Sequence, residues 1–176
     1  RYMGTLREVE AYDLASLVLN EALRRAGIQP NQVDEVIMGQ SYQNGEYVNI
    51  ARMALLKAGW LETIPGLTID RRCCTGLDVV RLAASLIQSN QAEIVVAGGV
   101  ESMSSVPMIG NKFVANPTLA AEHPGVYIGM GLTAENVAER YHISREDQDE
   151  FGARSQQRAE AALKNGAFKS QIVPLN

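Results

Sequence analysis

The stretch Thr68-Ile69-Asp70-Arg71-Arg72-Cys73-Cys74-Thr75-Gly76-Leu77 joins a predicted strand to a predicted helix, and the rest of the chain is organised around it. Before it, the apolar run 66–69 follows Pro65, which is the pattern of a short strand. After it, the residues from Thr75 to about Asn90 are apolar except along one narrow polar stripe. Because such a pattern is typical of a helix buried over most of its circumference, we expect a strand that turns directly into a buried helix.

Helices and strands alternate through the amino-terminal part of the chain. We predict helices over Glu10–Ala26 and Asn49–Ala58 and strands over Val33–Gly39 and Ile94–Gly98. This order predicts an α/β fold with a mainly parallel mixed sheet covered by helices, in which the strand carboxyl ends carry any functional site. The face of the central helix formed by Leu77, Val80 and Ala84 is then expected to be packed.

The composition and periodicity of the sequence change after Pro107. Residues 108–132 are rich in Gly, Pro and Asn and have little periodicity, so we predict a long loop with a helical excursion after it. One helix is predicted from near Thr133, another from the cap Ser144, and a last strand from Ile172. The chain is accordingly divided into two segments: 1–107, the α/β core, and 108–176.

Composition and charge limit the class of protein. The chain has 176 residues, of which 46% are hydrophobic and 20% charged, a mixture typical of globular domains. Its net charge is −4, and it lacks a basic cluster and an apolar run of membrane-spanning length, which argues against nucleic-acid and membrane partners. The two cysteines are adjacent and cannot staple a disulfide scaffold, so we expect a reducing compartment, the cytoplasm.

Cys73 lies at the predicted helix start, where unpaired N–H groups and the positive end of the helix dipole favour an anion. Arg71 and Arg72 add positive potential, so the pattern favours a thiolate nucleophile, whose acylated form could use the same N–H groups as an oxyanion hole. Gly76 would admit a close neighbour or a substrate. The alternative is that Cys73 and Cys74 are both small core hydrophobes.

The same stretch resembles the nucleophile motif of the thiolase family. That motif reads Asn-Arg, one variable residue, Cys, a small residue, Ser or Thr, Gly, Leu. The alignment implies that Cys73 is the catalytic nucleophile. Cys74 stands where the family has a small residue and Asp70 where it has Asn. The resemblance also implies that Cys73 faces a cleft, which would turn Cys74 into the packing between helix and sheet.

Two further segments extend this resemblance over almost the whole chain. Ala97–Ser104 is similar to the thiolase glycine-pair turn, and Gly129–Asn136 to a segment in which a methionine packs beside the reacting acyl group. Met130 is the matching residue and is implied to bind substrate. Gly129 stands where biosynthetic members often have His, which leans towards the degradative 3-ketoacyl-CoA branch.

The resemblance implies an acyl-CoA C-acyltransferase, which cleaves 3-ketoacyl-CoA or condenses acetyl-CoA units reversibly through an acyl-Cys73 intermediate. It implies coenzyme A and acyl-CoA as substrates, no metal or other cofactor, a homodimer or homotetramer, and a place in fatty acid metabolism. Residues 108–176 would begin the substrate-loop region. The family's first strand and its carboxyl-terminal half, with the base histidine and a second cysteine, fall outside the match. These residues alone are therefore expected to be inactive.

Three other residues, His123, His142 and Glu101, have side chains that can act as acids or bases. His123 precedes Pro124 but lacks the context of the catalytic histidine of thiolases, His142 is expected to be structural, and Glu101 is expected to tie a turn. A ketoacyl-synthase-type condensing enzyme is one alternative function, although the Thr133–Asn136 segment argues against it. A non-catalytic fragment or interaction module is the other.

Overall fold

The computed structural model describes residues 2–108, 110 and 112–175. The chain folds as two compact units, Arg1–Phe113 and Val114–Asn176. The strands are β1 Glu35–Gly39, β2 Gly66–Ile69 and β3 Val95–Gly99. The helices are α1 Ala11–Ala26, α2 Ile50–Lys57, α3 Thr75–Gln88, α4 Pro117–Glu122, α5 Met130–Tyr141 and α6 Arg145–Lys164.

The first unit is built on a parallel sheet of three strands in the order β2-β1-β3. β1 is the central strand, and its residue Ile37 is paired with Leu67 of β2 and Ala97 of β3. Because all the paired strands are parallel, their carboxyl ends meet at one edge, where β2 leads into α3. The predicted α/β fold with a parallel sheet covered by helices is confirmed.

Apolar clusters cover both faces of the sheet. Side chains along a strand alternate between faces, so Val36 and Met38 of β1 pack with α1 and α2, whereas Ile37 packs with Val79 and Ala83 of α3. The helices at Glu10–Ala26 and Asn49–Ala58 were predicted within one residue of their observed bounds, and Gly27 ends α1 with φ 69° as its C-cap.

The prediction that α3 is buried over most of its circumference is wrong in this structure. Only Thr75, Val79 and Ala83 are buried, all on the side that faces the sheet. On the opposite side Leu77 is 78% exposed and Val80 55% exposed, and Ala84 is exposed as well. An apolar helix face indicates that its side chains are more stable when they are buried. It does not indicate which part of the structure would bury them.

The second unit contains three helices and a 3₁₀ turn, Pro124–Tyr127, among its described residues. Within this unit, none of the described side chains is buried. The long loop predicted over 108–132 is wrong in part, because α4 lies inside it. The side chain of Asn116 caps α4 by accepting the backbone N–H groups of Thr118 and Leu119, with Pro117 at the first helical position.

Two further predictions on this unit have different outcomes. Ser144 caps α6 as predicted, because its Oγ accepts the N–H of Asp147 at 3.1 Å. The predicted strand from Ile172 is wrong, since residues 172–175 form no strand and have no paired neighbour. Among the described residues, every helix is too short or too polar to cross a bilayer.

Candidate active site

The carboxyl edge of the sheet carries a depression of about 280 Å³. The segments that follow β1, β2 and β3 contribute to it, together with the first turn of α3. Its lining residues are Gly39, Gln40, Ser41, Arg72, Thr75, Gly76, Gly99, Val100 and Glu101. This position agrees with the expectation that a site lies at the strand carboxyl ends.

The turn between β2 and α3 is tied by side chains close in sequence. Asp70 Oδ1 accepts the backbone N–H of Arg72 at 2.7 Å. Thr75 Oγ1 accepts the N–H of Arg71 at 2.7 Å and donates to the carbonyl of Arg72 at 2.7 Å. Since Thr75 is itself buried, the turn is anchored to the sheet at the residue that opens α3. Sequence reasoning assigned no role to Thr75, whose hydroxyl bonds the turn before the helix and does not cap α3.

Cys73 lies in the 3₁₀ turn Arg72–Cys74, and its thiol is free and exposed. Arg72 before it and Thr75 after it line the depression, but Cys73 itself is not one of the lining residues. Cys74 is also free and exposed, so the prediction that it packs between helix and sheet is wrong in this structure. The physical reason is the same as for the outer side of α3. Only the side of the helix that carries Thr75, Val79 and Ala83 is buried against the sheet, and Cys74 lies outside that side.

Both arginines of the turn are paired with carboxylates. Arg71 Nε lies 3.2 Å from Asp78, and Arg72 Nη1 lies 3.5 Å from Asp70. The Arg81 guanidinium, which hydrogen-bonds Asp78, and the charge of Arg71 hold the pKa of Asp78 below its ordinary value. The arginines therefore do not act as uncompensated positive charges beside Cys73, contrary to the expectation that they add positive potential there.

Glu101 has a structural hydrogen-bonding role, as predicted. Its carboxylate accepts the backbone N–H groups of Ser41 and Tyr42, each at 2.9 Å. The same segment meets Arg72, whose Nη1 donates to the carbonyl of Ser41 and whose guanidinium lies 5.4 Å from the centre of the Tyr42 ring. These contacts join three strand ends that are distant in sequence, and sequence reasoning did not identify Ser41 or Tyr42.

The glycines of the site serve close packing more than turning. A Cβ on Gly39 would lie 2.4 Å from Thr75 Cγ2, and one on Gly99 would lie 3.2 Å from the carbonyl oxygen of Gly39. The Gly98-Gly99 pair belongs to β3 itself, so the predicted tight turn is replaced by a close approach of β3 to β1. Within the described parts of the chain no atom approaches the Cβ position of Gly76, which faces the depression.

Gln40 is a buried polar residue that sequence reasoning missed. It follows β1 directly, is 2% exposed, and its Oε1 accepts no hydrogen bond from the described residues. Buried side-chain oxygens are usually paired with protein or water, so the unpaired Oε1 of Gln40 is an exception in a residue that lines the depression. A single glutamine after a strand has no distinguishing pattern in sequence.

The remaining candidates lie in the second unit. Met130 is the first residue of α5 and is 71% exposed. His123 follows α4 and is exposed. His142 is the left-handed C-cap of α5, with φ 53°, which is the structural role predicted for it. Among the residues that the structure describes, no three His, Cys, Asp or Glu side chains cluster as metal ligands would.

Comparisons with known proteins give a consistent family. The chain matches the family described as the amino-terminal domain of thiolase over residues 1–176. It is 43% identical to the acetyl-CoA acetyltransferase of Cupriavidus necator and 42% identical to that of Escherichia coli. The crystal structure of the Bacillus anthracis acetyl-CoA acetyltransferase is similar with a TM-score of 0.86 at 42% identity.

Coverage in these comparisons is asymmetric. The match includes 99% of this chain but 48% of the Cupriavidus and Escherichia proteins, and 98% of this chain but 47% of the Bacillus chain. The chain thus spans about half the length of the curated relatives it matches.

Proposed function

This chain belongs to the thiolase family and matches the family's amino-terminal domain, and we propose that the protein is an acyl-CoA C-acyltransferase with Cys73 as the acyl-carrying nucleophile. The observation that carries the proposal is the exposed thiol of Cys73 in the turn between β2 and α3. It occupies the cysteine position of the family motif, and the residues that flank it, Arg72 and Thr75, line a depression at the carboxyl edge of the sheet.

In the degradative direction, the Cys73 thiolate attacks the keto carbon of a 3-ketoacyl-CoA. The bond between C2 and C3 breaks, and the enolate of acetyl-CoA leaves and takes up a proton. The shortened acyl group remains on sulfur until the thiolate of coenzyme A attacks it and restores Cys73. Condensation runs the same steps in reverse, and no cofactor beyond the coenzyme A thioesters is proposed.

This chemistry needs a base for the thiol and a second acid or base for the enolate. The described part of this chain places no histidine in the first unit, where Cys73 lies. We propose that these groups are supplied by a part of the protein that corresponds to the portion of the relatives outside the match with this chain. We also propose that Met130 contributes to the acyl site and that the 176 residues alone are inactive.

The proposed assembly is a homodimer or homotetramer, with β2 near the symmetry axis. Two features support it, the mostly apolar 67–69 segment beside the site and the position of β2 at the edge of the sheet. Light scattering on the complete protein should give at least a dimer at micromolar concentration. A monomer would contradict this proposal.

The proposed location is the cytoplasm, and the proposed role is in fatty acid metabolism. The free, exposed thiols of Cys73 and Cys74 suit a reducing compartment. Fractionation of cells that express the tagged complete protein would test the location.

The deciding experiment treats the complete protein with a limiting dose of acetyl-CoA at neutral pH and maps the label by peptide mass spectrometry. We expect the acetyl group on Cys73. Preferential label on Cys74 would contradict the assignment, and an absence of label would contradict acyl-transfer function.

A matched pair of variants separates the two thiols. Cys73→Ser should abolish acylation, because a serine hydroxyl is a far weaker nucleophile than a thiolate at neutral pH. Cys74→Gly should leave most of the acylation, since glycine is a small residue of the kind the family motif carries at this position. Intact-mass measurement on both variants reports the outcome directly.

A further inference from the structure

Arg72 has an uncommon backbone conformation directly before Cys73. Its φ is 47°, in the left-handed region, where the Cβ of an L residue crowds the following carbonyl oxygen. Three other described non-glycine residues share a positive φ, but Arg72 alone among them lines the depression. Backbone strain of this kind persists only where the surroundings hold it in place.

Two side chains hold the Arg72 backbone from within the turn. Asp70 accepts its N–H at 2.7 Å, and Thr75 donates to its carbonyl at 2.7 Å. The backbone N–H and the carbonyl of Arg72 are therefore both hydrogen-bonded. These two bonds fix the direction in which the backbone continues into Cys73.

The Arg72 side chain adds a long-range tie. Its Nη1 donates to the carbonyl of Ser41, and its guanidinium packs over the Tyr42 ring with 5.4 Å to the centroid. Glu101 holds the N–H groups of the same two residues at 2.9 Å. Through Arg72, the turn before α3 is thus clamped to the segment after β1, and that segment is clamped to the end of β3.

We propose that Arg72 is a positioning residue, which clamps the turn so that the Cys73 sulfur and the first N–H groups of α3 are aligned for acylation. This inference rests on the proposed role of Cys73. The clamp acts through geometry, because Asp70 Oδ2 lies 3.5 Å from the Arg72 guanidinium and offsets its charge. Arg72 stands at the variable position of the family motif, so the motif itself does not require an arginine there.

The test compares two reactions of Cys73 in the complete protein. Acylation by acetyl-CoA needs the sulfur, the N–H groups and a large substrate to be aligned. Alkylation by iodoacetamide needs only an accessible thiolate. For Arg72→Ala we expect the acylation rate to fall by about 100-fold, which is the cost of a misplacement of roughly 1 Å. The KM for acetyl-CoA and the rate and pH dependence of alkylation should stay close to those of the wild type.

Conservative variants separate geometry from charge. Arg72→Lys keeps the charge but loses the planar fork and should lose acylation as Arg72→Ala does. Arg72→Gly relieves the strained φ and serves as a folded substitute if Arg72→Ala melts early. Arg24→Ala, which removes an exposed arginine paired with Glu21 on α1, should change neither reaction.

The outcomes are distinguishable. Wild-type acylation in Arg72→Ala or Arg72→Gly overturns the clamp and leaves the proposed function intact. Acylation and alkylation that fall together, with an alkylation profile displaced to higher pH, also overturn it, because they indicate an electrostatic role. A wild-type protein that takes no acetyl group on Cys73 overturns the proposed function and this inference with it.

Discussion

At Gly39 the backbone of β1 passes so close to α3 that no larger residue fits. A Cβ there would lie 2.4 Å from Thr75 Cγ2, and Thr75 is the residue that anchors the turn before Cys73. The side-chain sizes that fit at Gly39 and Thr75 therefore depend on each other, although the two residues are distant in sequence. We therefore expect a larger residue at Gly39 to displace Thr75 and the turn that it anchors.

Gly39→Ala should lower the free energy of unfolding by about 1–3 kcal/mol, because the added methyl overpacks the contact. Thr75→Ser removes the opposing methyl but keeps the hydroxyl. The double variant should therefore be more stable than Gly39→Ala alone. Urea denaturation of the four proteins gives the coupling as a double-mutant cycle. Gly76→Ala is the matched control and should not destabilise, since its Cβ meets no described atom within 4 Å.

Glu101→Gln tests the tie between β3 and the segment after β1. Glutamine offers one acceptor oxygen where the carboxylate has two, and its NH₂ group would face a backbone donor. We expect a loss of about 1 kcal/mol in the free energy of unfolding, measured by urea denaturation. Glu8→Gln, at an exposed glutamate beside Arg7, is the control and should be neutral. If Glu101→Gln and Glu8→Gln were equally stable, the result would contradict the structural role of Glu101.

At the scale of elements, α3 has one packed side and one open side. Val79→Ala should cost about 2 kcal/mol of unfolding free energy, because Val79 is 1% exposed and two buried methyl groups are lost. Val80→Ala is the same substitution at the next residue, on the exposed side, and should cost little. Thermal and urea melts of the 176-residue chain would compare them. An equal cost at Val80 would show that the outer side is covered.

The junction of β1 with β3 depends on an ionised carboxylate. The N–H groups of Ile94 and Glu93 donate to Asp34 and hold its pKa below the ordinary value of 3.8. Because the folded-state pKa is depressed, this stabilisation is present above pH 3.8 and is lost as pH falls through the lower folded value. The ionised form is therefore the stabilising one.

Asp34→Asn should accordingly be less stable than the wild type at neutral pH, and the difference should shrink below pH 3.8. Urea midpoints measured across the acid range would show this convergence. Glu62→Gln, at an exposed glutamate, is the control. A gap between Asp34→Asn and the wild type that stays constant with pH would contradict the charged hydrogen bonds.

At the scale of the whole molecule, the chain leaves a large apolar face of α3 uncovered among its described residues. Leu77, Val80 and Ile87 follow one side of the helix and are all exposed. We expect the 176-residue chain to self-associate as its concentration rises, because such patches favour association. Light scattering should detect this. The double change Leu77→Glu and Val80→Glu should suppress it, whereas Leu61→Glu, in a loop, should not.

The sequence by itself determined the order of helices and strands in the first unit, the parallel α/β class and the turn that bears Cys73. These follow from local patterns, since apolar periodicity, caps and glycine stops act within a few residues. The family motif around Cys73 is likewise contiguous, and so is the Ser144 cap of α6. The Asn116-Pro117 helix start was also local and was overlooked in a segment rich in loop residues.

Only the tertiary structure decided how the strand ends are joined and which helix faces are covered. The contact of Arg72 with Ser41 spans 31 residues and that of Glu101 with Ser41 spans 60. Such contacts depend on the order of the strands in the sheet and on where the segments after the strands lie, which patterns of a few residues do not encode. The same reason explains the errors on Cys74 and on the outer side of α3. A sequence pattern states what a side chain prefers, whereas its exposure depends on which other elements are there to cover it.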